Sequence, residues 1–362
     1  MNHQSANEAS APRDLGRRPA RRRSARREAL RSTPLLVPAN SASKDLRPAS
    51  PPSTRRTALL AVHRWFDSWA GIDDAPRGRS RRVDWARIVP FALLHVACLG
   101  VVWVGWSPTA CAVALALYLV RMFAITAFYH RYFSHRTIRT SRAMQFVFAV
   151  GGNSAVQRGP LWWAAHHRQH HVKSDTVEDP HSPRQRGFWW SHVGWITAEA
   201  NFATRRERVR DLMRFPELRF LDRFDALVPF ALFAALWLCG LLLERFAPSL
   251  GTSGMQLVVW GMISTCALFH ATFTINSLAH VWGTRRYATS DDSRNNWLLA
   301  LITLGEGWHN NHHHYQGAAR QGFRWWEIDL SYYGLLALAR VGLVWELNGV
   351  PARLMAARDS KP

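Results

Sequence analysis

Clustered histidines are the residues of this chain that could do chemistry. The 362-residue sequence contains 17 histidines, and the segments HRYFSH, HHRQHH, NSLAH and HNNHH hold nine that we expect to bind metal. These nine are His130, His135, His167, His170, His171, His280, His309, His312 and His313. Nine imidazoles exceed the six or fewer ligands of one ion, so the count predicts two metal ions. Imidazole suits iron, zinc, copper and nickel.

Spacing within the clusters adds to this prediction. In an α-helix, positions i, i+3 and i+4 lie on one face, so the two HxxHH segments should each point three imidazoles the same way. His130 and His135 are five residues apart. That separation is about 140° around a helix and roughly 7.5 Å along it, which favours contacts with two different ions.

Apolar segments must position these clusters. Residues 88–120 contain no charged residue, whereas a bilayer core of about 30 Å needs only roughly 20 helical residues. The stretch divides at residues 107–109 into spans at 88–106 and 110–129, and a second pair follows at 226–243 and 254–275. We therefore predict an all-α membrane protein with four transmembrane helices in two hairpins. The four cysteines all lie in apolar stretches, which predicts free, buried thiols.

Charge gives the expected orientation. Residues 1–82 contain 18 Lys or Arg and 7 Asp or Glu, and so supply +11 of the net +21. With four spans, both termini and all the histidine clusters share one side, which the positive-inside tendency makes cytoplasmic. We predict a basic, largely disordered arm at residues 1–84, a membrane domain at 85–347 and a short tail at 348–362. Arg121 is a charge inside the second span, and such charges are pointers to function.

At these residues the sequence resembles the integral-membrane fatty acyl desaturases of the stearoyl-CoA Δ9-desaturase type. The resemblance covers residues 84–347 and rests on HRYFSH, HHRQHH followed by DPHSP, GFWWSHVGW, NSLAH and GEGWHNNHH, in that order. It implies a cytoplasmic helical cap that carries a di-iron site ligated by the nine histidines, with Asn276 holding a water on one iron, and a bent tunnel for the acyl chain. Two departures are His166, where an Asp is usual, and the extended HHHY.

Desaturation explains the need for such ligands. An unactivated methylene has no acidity for a base to exploit, so two ferrous ions and O2 are required to remove its hydrogens. Candidates for tuning the ligands lie within or next to the clusters. These candidates are Glu306, Asp179, His181 and Asn310.

Partners and rival functions follow from the same residues. The chain has no dinucleotide-binding GxGxxG after a strand, ferredoxin-type cysteine cluster or haem signature, so we expect two electrons from a separate ferredoxin-like or cytochrome b5-like donor. The expected substrate is fatty acyl-CoA or a phospholipid acyl chain. A di-iron acyl or alkane hydroxylase is the main alternative and a histidine-rich metal transporter a remote one. The Arg-rich residues 17–27 favour contact with anionic lipid over nucleic acid.

Overall fold

Four long apolar helices form the framework of the chain. In the computed structural model, residues 62–70 and 81–356 are described. Ten main helices are α1 (Trp85–Val104), α2 (Pro108–Ser134), α3 (Arg142–Asn153), α4 (Pro160–Lys173), α5 (Pro216–Arg223), α6 (Leu227–Phe246), α7 (Gly254–His280), α8 (Trp297–Ile302), α9 (His309–His314) and α10 (Leu330–Arg340). Helices α1, α2, α6 and α7 are long and apolar enough to cross a membrane, which confirms the four predicted spans.

Short elements complete the described part of the chain. Two-residue strands β1 (Arg139–Thr140) and β2 (Val344–Trp345) pair antiparallel, with Arg139 opposite Trp345. One-turn helices or single turns are found at Pro183–Arg186, Trp190–Gly194, Trp195–Thr197, Glu199–Phe202, Arg206–Arg208, Arg210–Met213, Pro248–Leu250 and Ala352–Ala356. Apart from this two-residue strand pair, the regular structure of the described residues is therefore helical, as the sequence predicts.

The hairpin between α1 and α2 turns where the sequence predicts a break. Gly105 adopts a positive φ of 65°, which favours glycine. The side chain of Ser107 caps α2 by accepting a hydrogen bond from the amide of Ala110, and Pro108 occupies the first turn, where no amide donor is needed. Local sequence thus ends one span and begins the next.

Close packing joins the spans. A Cβ added at Gly240 of α6 would lie 2.4 Å from the Cα of Gly254 at the start of α7, so the two backbones touch there. Arg121 of α2 is buried and donates hydrogen bonds to Thr265 at 2.6 Å and Ser264 at 2.7 Å on α7. The intramembrane charge therefore has neutral partners in the neighbouring span.

The main hydrophobic core lies where α2 leaves the apolar bundle and meets α3, α4 and α5, which we call the cap. Phe128 of α2 stacks on Phe148 of α3 with ring centroids 3.7 Å apart. A Cβ at Gly152 of α3 would overlap the ring of Tyr129 at 2.0 Å. This tight contact between α2 and α3 fixes the segment that carries the first histidine cluster.

Residues 62–70, which lie within the predicted arm, pack against the rest of the protein. Ser68 donates to Asp225 at 2.6 Å, and the indole of Trp69 donates to buried Asp222 at 2.9 Å. Asp67 pairs with Arg223 at 2.7 Å. These hydrogen bonds and this ion pair hold residues 62–70 against the cap. Residues 1–61, including the Arg-rich 17–27, and residues 71–80 lie outside the described residues. The tail adds one short helix, Ala352–Ala356.

The four cysteines are free. The sulfurs of Cys98 in α1 and Cys266 in α7 lie 3.5 Å apart. The prediction of buried thiols is wrong, because Cys98, Cys111 and Cys266 are half-buried and Cys239 is exposed on α6.

Candidate metal centre

The end of α2 brings His130 and His135 together. Residues Ala124–Ser134 form a π-helix, and the amide of His135 donates to the carbonyl of His130 at 3.2 Å. Because each turn closes over five residues there, side chains five apart lie above one another, and the two ring centroids are 4.8 Å apart. The expectation that they face different ions is therefore wrong, since it assumed a regular α-helix.

Helix α4 presents its three imidazoles to two neighbouring places. His167 and His171, which are four residues apart, join His135 and His130, whereas His170 turns toward a second group. Helix α9 does the same with the opposite division, because His312 joins the first group and His309 and His313 the second. The expectation that each HxxHH segment points all three rings one way is therefore wrong: each helix lies between two groups and serves both.

The nine predicted histidines thus form two groups. Within each group, one nitrogen from every residue lies within 4.8 Å of the others. We call them the five-imidazole group (His130, His135, His167, His171 and His312) and the four-imidazole group (His170, His280, His309 and His313).

Distances between the Nε2 atoms test whether metal ions fit. The separations are 3.0 Å for His130 and His312, 2.8 Å for His135 and His167, and 3.0 Å for His171 and His312. Two imidazoles at about 2.1 Å from one ion and 90° apart would have nitrogens about 3.0 Å apart. In the four-imidazole group, the Nε2 atoms of His280 and His309 are 3.1 Å apart. The donor sets therefore fit two ions.

A glycine pair shapes the loop before α9. Gly305 has a φ of 128°, which a side chain would strain, and a Cβ at Gly307 would lie 2.0 Å from the amide nitrogen of Ala300. This compact turn carries Glu306 to the Nδ1 atom of His130. The GEG of the sequence motif is thus explained by a close backbone approach on either side of one carboxylate.

Three aspartates hold the four-imidazole group from outside. Asp179, which the sequence predicts, lies 2.9 Å from Nδ1 of His170. Asp175 lies 2.9 Å from Nδ1 of His280, and Asp291 lies 2.6 Å from Nδ1 of His313. Sequence reasoning missed these last two. Asp175 lies only four residues before Asp179, so its position offered a signal, but Asp291 is in a loop that no motif marks.

The other predicted second-shell residues differ in what they touch. The ring of His181 contacts that of His170 in a tilted arrangement with centroids 4.3 Å apart, and its Nδ1 lies 3.7 Å from Asp179. Asn310 contacts no ligand ring among the described residues. Its side chain instead accepts hydrogen bonds from the amides of Arg286 and Tyr287, both at 2.8 Å, and so fixes the loop beside α9.

Two histidines that adjoin the clusters but are not among the nine predicted ligands, His166 and His314, lie outside both groups. His166 is buried, and its Nδ1 contacts the carbonyl of Trp162 at 3.0 Å. His314 stacks on Tyr287 with centroids 4.1 Å apart. Both break the i, i+3, i+4 spacing of the cluster beside them, which agrees with their place outside the two groups.

An apolar cavity of about 510 Å³ adjoins the imidazole groups. Its wall includes Phe91 of α1, Phe233 of α6 and Phe269 of α7. A smaller cavity of about 40 Å³ lies between the two groups and shares His167 and Asn276 with the larger one. Asn276 therefore faces the space between the groups, next to a volume that suits an apolar ligand.

Comparison with known proteins identifies the family. The profile described as "Fatty acid desaturase" matches residues 104–337. This range includes both imidazole groups and their carboxylates. The chain belongs to the fatty acid desaturase family.

This desaturase is similar to proteins of Arabidopsis thaliana and Nostoc. "Probable lipid desaturase ADS3.2, chloroplastic" of Arabidopsis thaliana is 41% identical over 63% of this chain and 60% of its own length. "Delta-9 acyl-lipid desaturase 1" of Arabidopsis thaliana is 37% identical over 76% of this chain and 90% of its own. "sn-2 palmitoyl-lipid 9-desaturase" of Nostoc is 34% identical over 76% of this chain and 94% of its own. Members of this family are oxidoreductases that desaturate fatty acyl chains, and this chain is one of them.

Burial sets the protonation of the desaturase's imidazoles. Burial, followed by repulsion from neighbouring imidazoles, lowers the pKa of His135, His167 and His171 well below the usual value. Neutral imidazole is the form that binds metal. His170 differs: burial lowers its pKa, but the carboxylates of Asp179, Asp175 and Asp291 together outweigh burial, so the pKa is raised. A bound cation and the proton would therefore compete at His170.

Carboxylates beside the imidazoles are ionised. Burial favours the neutral acid, but His130 and Arg131 outweigh burial and lower the pKa of Glu306. The same balance lowers the pKa of Asp179, where His170 is the main partner. The nine imidazoles are uncharged as ligands, so these buried carboxylates supply negative charge close to the two ions.

Proposed function

We propose that this desaturase inserts a cis double bond, at Δ9, into a saturated acyl chain. The reaction consumes O2, two electrons and two protons, converts one CH2–CH2 unit to CH=CH, and releases two waters. The observation that carries the proposal is the pair of imidazole groups beside a large apolar cavity. The relatives named as 9-desaturases support the position of the double bond.

We propose two iron ions as the metals. The five-imidazole group and the four-imidazole group would each hold one ion, and Asn276 would hold a water on the second. Iron supplies the oxidation of an unactivated C–H bond by O2, which no acid or base in the chain could perform. All-nitrogen donor sets with room for further ligands suit iron among the metals that imidazole binds.

The chain's own residues bind and orient the substrate. Phe91, Phe233 and Phe269 line the cavity and exclude water from the acyl chain. His167 and Asn276 border both this cavity and the smaller one, so a methylene pair that reaches them lies next to the ions. Glu306 accepts the Nδ1 proton of His130 and leaves Nε2 free for the metal.

Basic residues at the cavity suggest how the acyl carrier is held. Arg64, Arg87 and Arg158 all line the cavity. The described lining includes one carboxylate, that of Asp225, which pairs with Arg158 at 2.9 Å. Phosphate groups suit such a cluster, and both CoA and phospholipids carry phosphates. Relatives named for acyl-CoA and for acyl-lipid substrates are both similar to this chain. We therefore propose a phosphate-bearing carrier.

Electrons would come from a separate donor protein, ferredoxin-like or cytochrome b5-like. Arg136 and Arg168 lie next to the five-imidazole group and share one carboxylate, that of Asp211, at 2.9 and 2.7 Å. The remaining positive charge of this surface suits an acidic donor. We propose that this surface, both termini and the metal centre are cytoplasmic. The orientation rests on the arginine-rich arm and cap and the short, nearly uncharged outer connections.

The experiment compares fatty acid profiles of cells that express the chain, H167A or H314A together with an electron donor. H167A removes one imidazole of the five-imidazole group. H314A is the control, because His314 directly follows a histidine cluster but belongs to neither group. New monounsaturated chains should appear with the wild type and H314A and be absent with H167A. Separate analysis of the acyl-CoA and phospholipid pools then shows which carrier is desaturated first.

Two results would contradict the proposal. Hydroxylated products in place of alkenes would indicate the alternative reaction, a di-iron hydroxylase. Equal activity of H167A and the wild type would show that the five-imidazole group does not take part. The metal-transporter alternative would instead predict metal accumulation in the cells without any new acyl product.

A further inference from the structure

Carboxylates are distributed unequally around the two imidazole groups. In the four-imidazole group, three of the four rings contact an aspartate through Nδ1, at 2.9 Å for His170, 2.9 Å for His280 and 2.6 Å for His313. The aspartates are buried, with exposed fractions of 5% for Asp175, 0% for Asp179 and 5% for Asp291.

The five-imidazole group has a single carboxylate. Glu306 contacts Nδ1 of His130, and its charge is shared with Arg131 at 3.1 Å and with the side-chain amide of Gln321 at 2.9 Å. In the described ranges, 62–70 and 81–356, no carboxylate contacts the other four rings. The two groups therefore differ by two negative charges in contact with their ligands, before Arg131 is taken into account.

A carboxylate behind a ligating imidazole has two effects. It fixes the tautomer and the orientation of the ring, and it makes the metal-binding nitrogen a stronger donor. Loss of one such partner typically lowers metal affinity about 10- to 100-fold. Three such partners on one group and one on the other therefore make the two ions respond to different side chains.

We propose that Asp175, Asp179 and Asp291 are positioning residues for one ion only, that of the four-imidazole group. Glu306 would act in the same way for the other ion. The two metals of this desaturase are then inequivalent, and the affinity for each can be lowered separately by replacing the carboxylates that contact its imidazoles. The inference rests on the proposed two-metal site.

A purely structural role is the competing explanation. Asp175 also accepts hydrogen bonds from Ser182 at 2.6 Å and from the amide of Asp292 at 2.8 Å, and Asp291 accepts from Ser293 at 2.6 Å. Both aspartates therefore help to shape loops. A structural role would lower overall stability and release both ions together, whereas a positioning role would release one.

The experiment measures metal on purified full-length chain. Wild type, D291N, D175N and E306Q are loaded anaerobically with 57Fe(II) and dialysed against graded chelator, and iron per chain is counted while Mössbauer spectra separate the two sites. D291N and D175N should lose one ion at about 10- to 100-fold lower free chelator than the wild type and keep the other. E306Q should weaken the opposite site. E346Q, at an exposed ion pair with Arg139, should behave as wild type.

Each outcome decides the inference. Parallel loss of both ions in D291N and D175N, or no change in either, would overturn it. Should D291N fail to fold, D175N and the charge-conserving D291E supply the test. D291E must then hold the ion of the four-imidazole group more tightly than D175N does. A wild type that binds fewer than two ions would instead refute the proposed function, which separates the two failures.

Discussion

At the scale of single residues, Arg131 connects the metal centre to the segment that leads into α10. Its guanidinium is buried and pairs with Glu306 at 3.1 Å and with Asp329 at 2.9 Å, and it also donates to the carbonyl of Ala319 at 2.9 Å. Because Glu306 contacts His130, one buried cation holds the carboxylate that orients a proposed ligand. A buried ion pair adds little net stability, but its rupture leaves unpaired charge.

Replacement of Arg131 by glutamine should therefore be strongly destabilising. R131Q leaves two buried carboxylates without their cation, and the expected loss is about 3–5 kcal/mol of unfolding free energy. R139Q is the matched control, because Arg139 pairs with Glu346 on the surface and such pairs contribute at most about 1 kcal/mol. Denaturant unfolding of the solubilised protein measures both, and equal effects would contradict the prediction.

At the scale of elements, helix geometry decides where side chains meet. The π-helical end of α2 brings His130 and His135 into the same imidazole group, and the glycines of α6 and α7 let the second hairpin close. Gly240 lies against the backbone of Gly254, and Trp237 contacts the same place. No side chain can be added at this crossing without moving a helix.

An alanine at Gly240 should therefore weaken the second hairpin. The new Cβ would lie 2.4 Å from a backbone atom that cannot turn aside, and such overpacking costs about 1–3 kcal/mol. A235L adds more volume on the exposed surface of the same helix and should be nearly neutral. The thermal unfolding temperatures of the two variants in one detergent provide the comparison. A larger loss for A235L would show that the lipid-facing surface governs stability.

At the scale of the whole molecule, burial of so many imidazoles couples stability to pH. Burial is the main cause that lowers the pKa of His135, His167, His171, His309 and His312 well below 6.5. These rings are therefore neutral in the folded protein at pH values where the unfolded chain binds protons. Below pH 6.5 the unfolded state takes up more protons than the folded state, so the free energy of unfolding decreases as the pH is lowered.

Metal-free protein should consequently unfold more easily in mild acid. Its stability is fully present above pH 6.5 and decreases below it, by up to about 1.4 kcal/mol per pH unit for each such ring. Unfolding temperatures of chelator-treated protein at pH 7.5 and pH 5.5 measure the effect, and a decrease of at least about 5 °C is expected at the lower pH. H167N should show a smaller decrease. A pH-independent unfolding temperature would mean that the rings are not buried in the neutral form.

The sequence by itself determined the components of this protein. Uncharged stretches of sufficient length defined the four spans, and the clustered imidazoles marked the nine candidate ligands and predicted two ions. Glu306 and Asp179 were also found, because each lies inside or beside a motif. These inferences depend on composition and local spacing, which folding does not alter.

Only the tertiary structure decided how the nine imidazoles divide. The five and four arise from a π-helical turn in α2 and from the placement of α4 and α9 between the two groups, and neither follows from regular helical periodicity. Asp175 reaches His280 across 105 residues of chain, and Asp291 reaches His313 from a loop. Segments far apart in the chain pack together to place these carboxylates beside the imidazoles, so local sequence patterns could not predict the contacts.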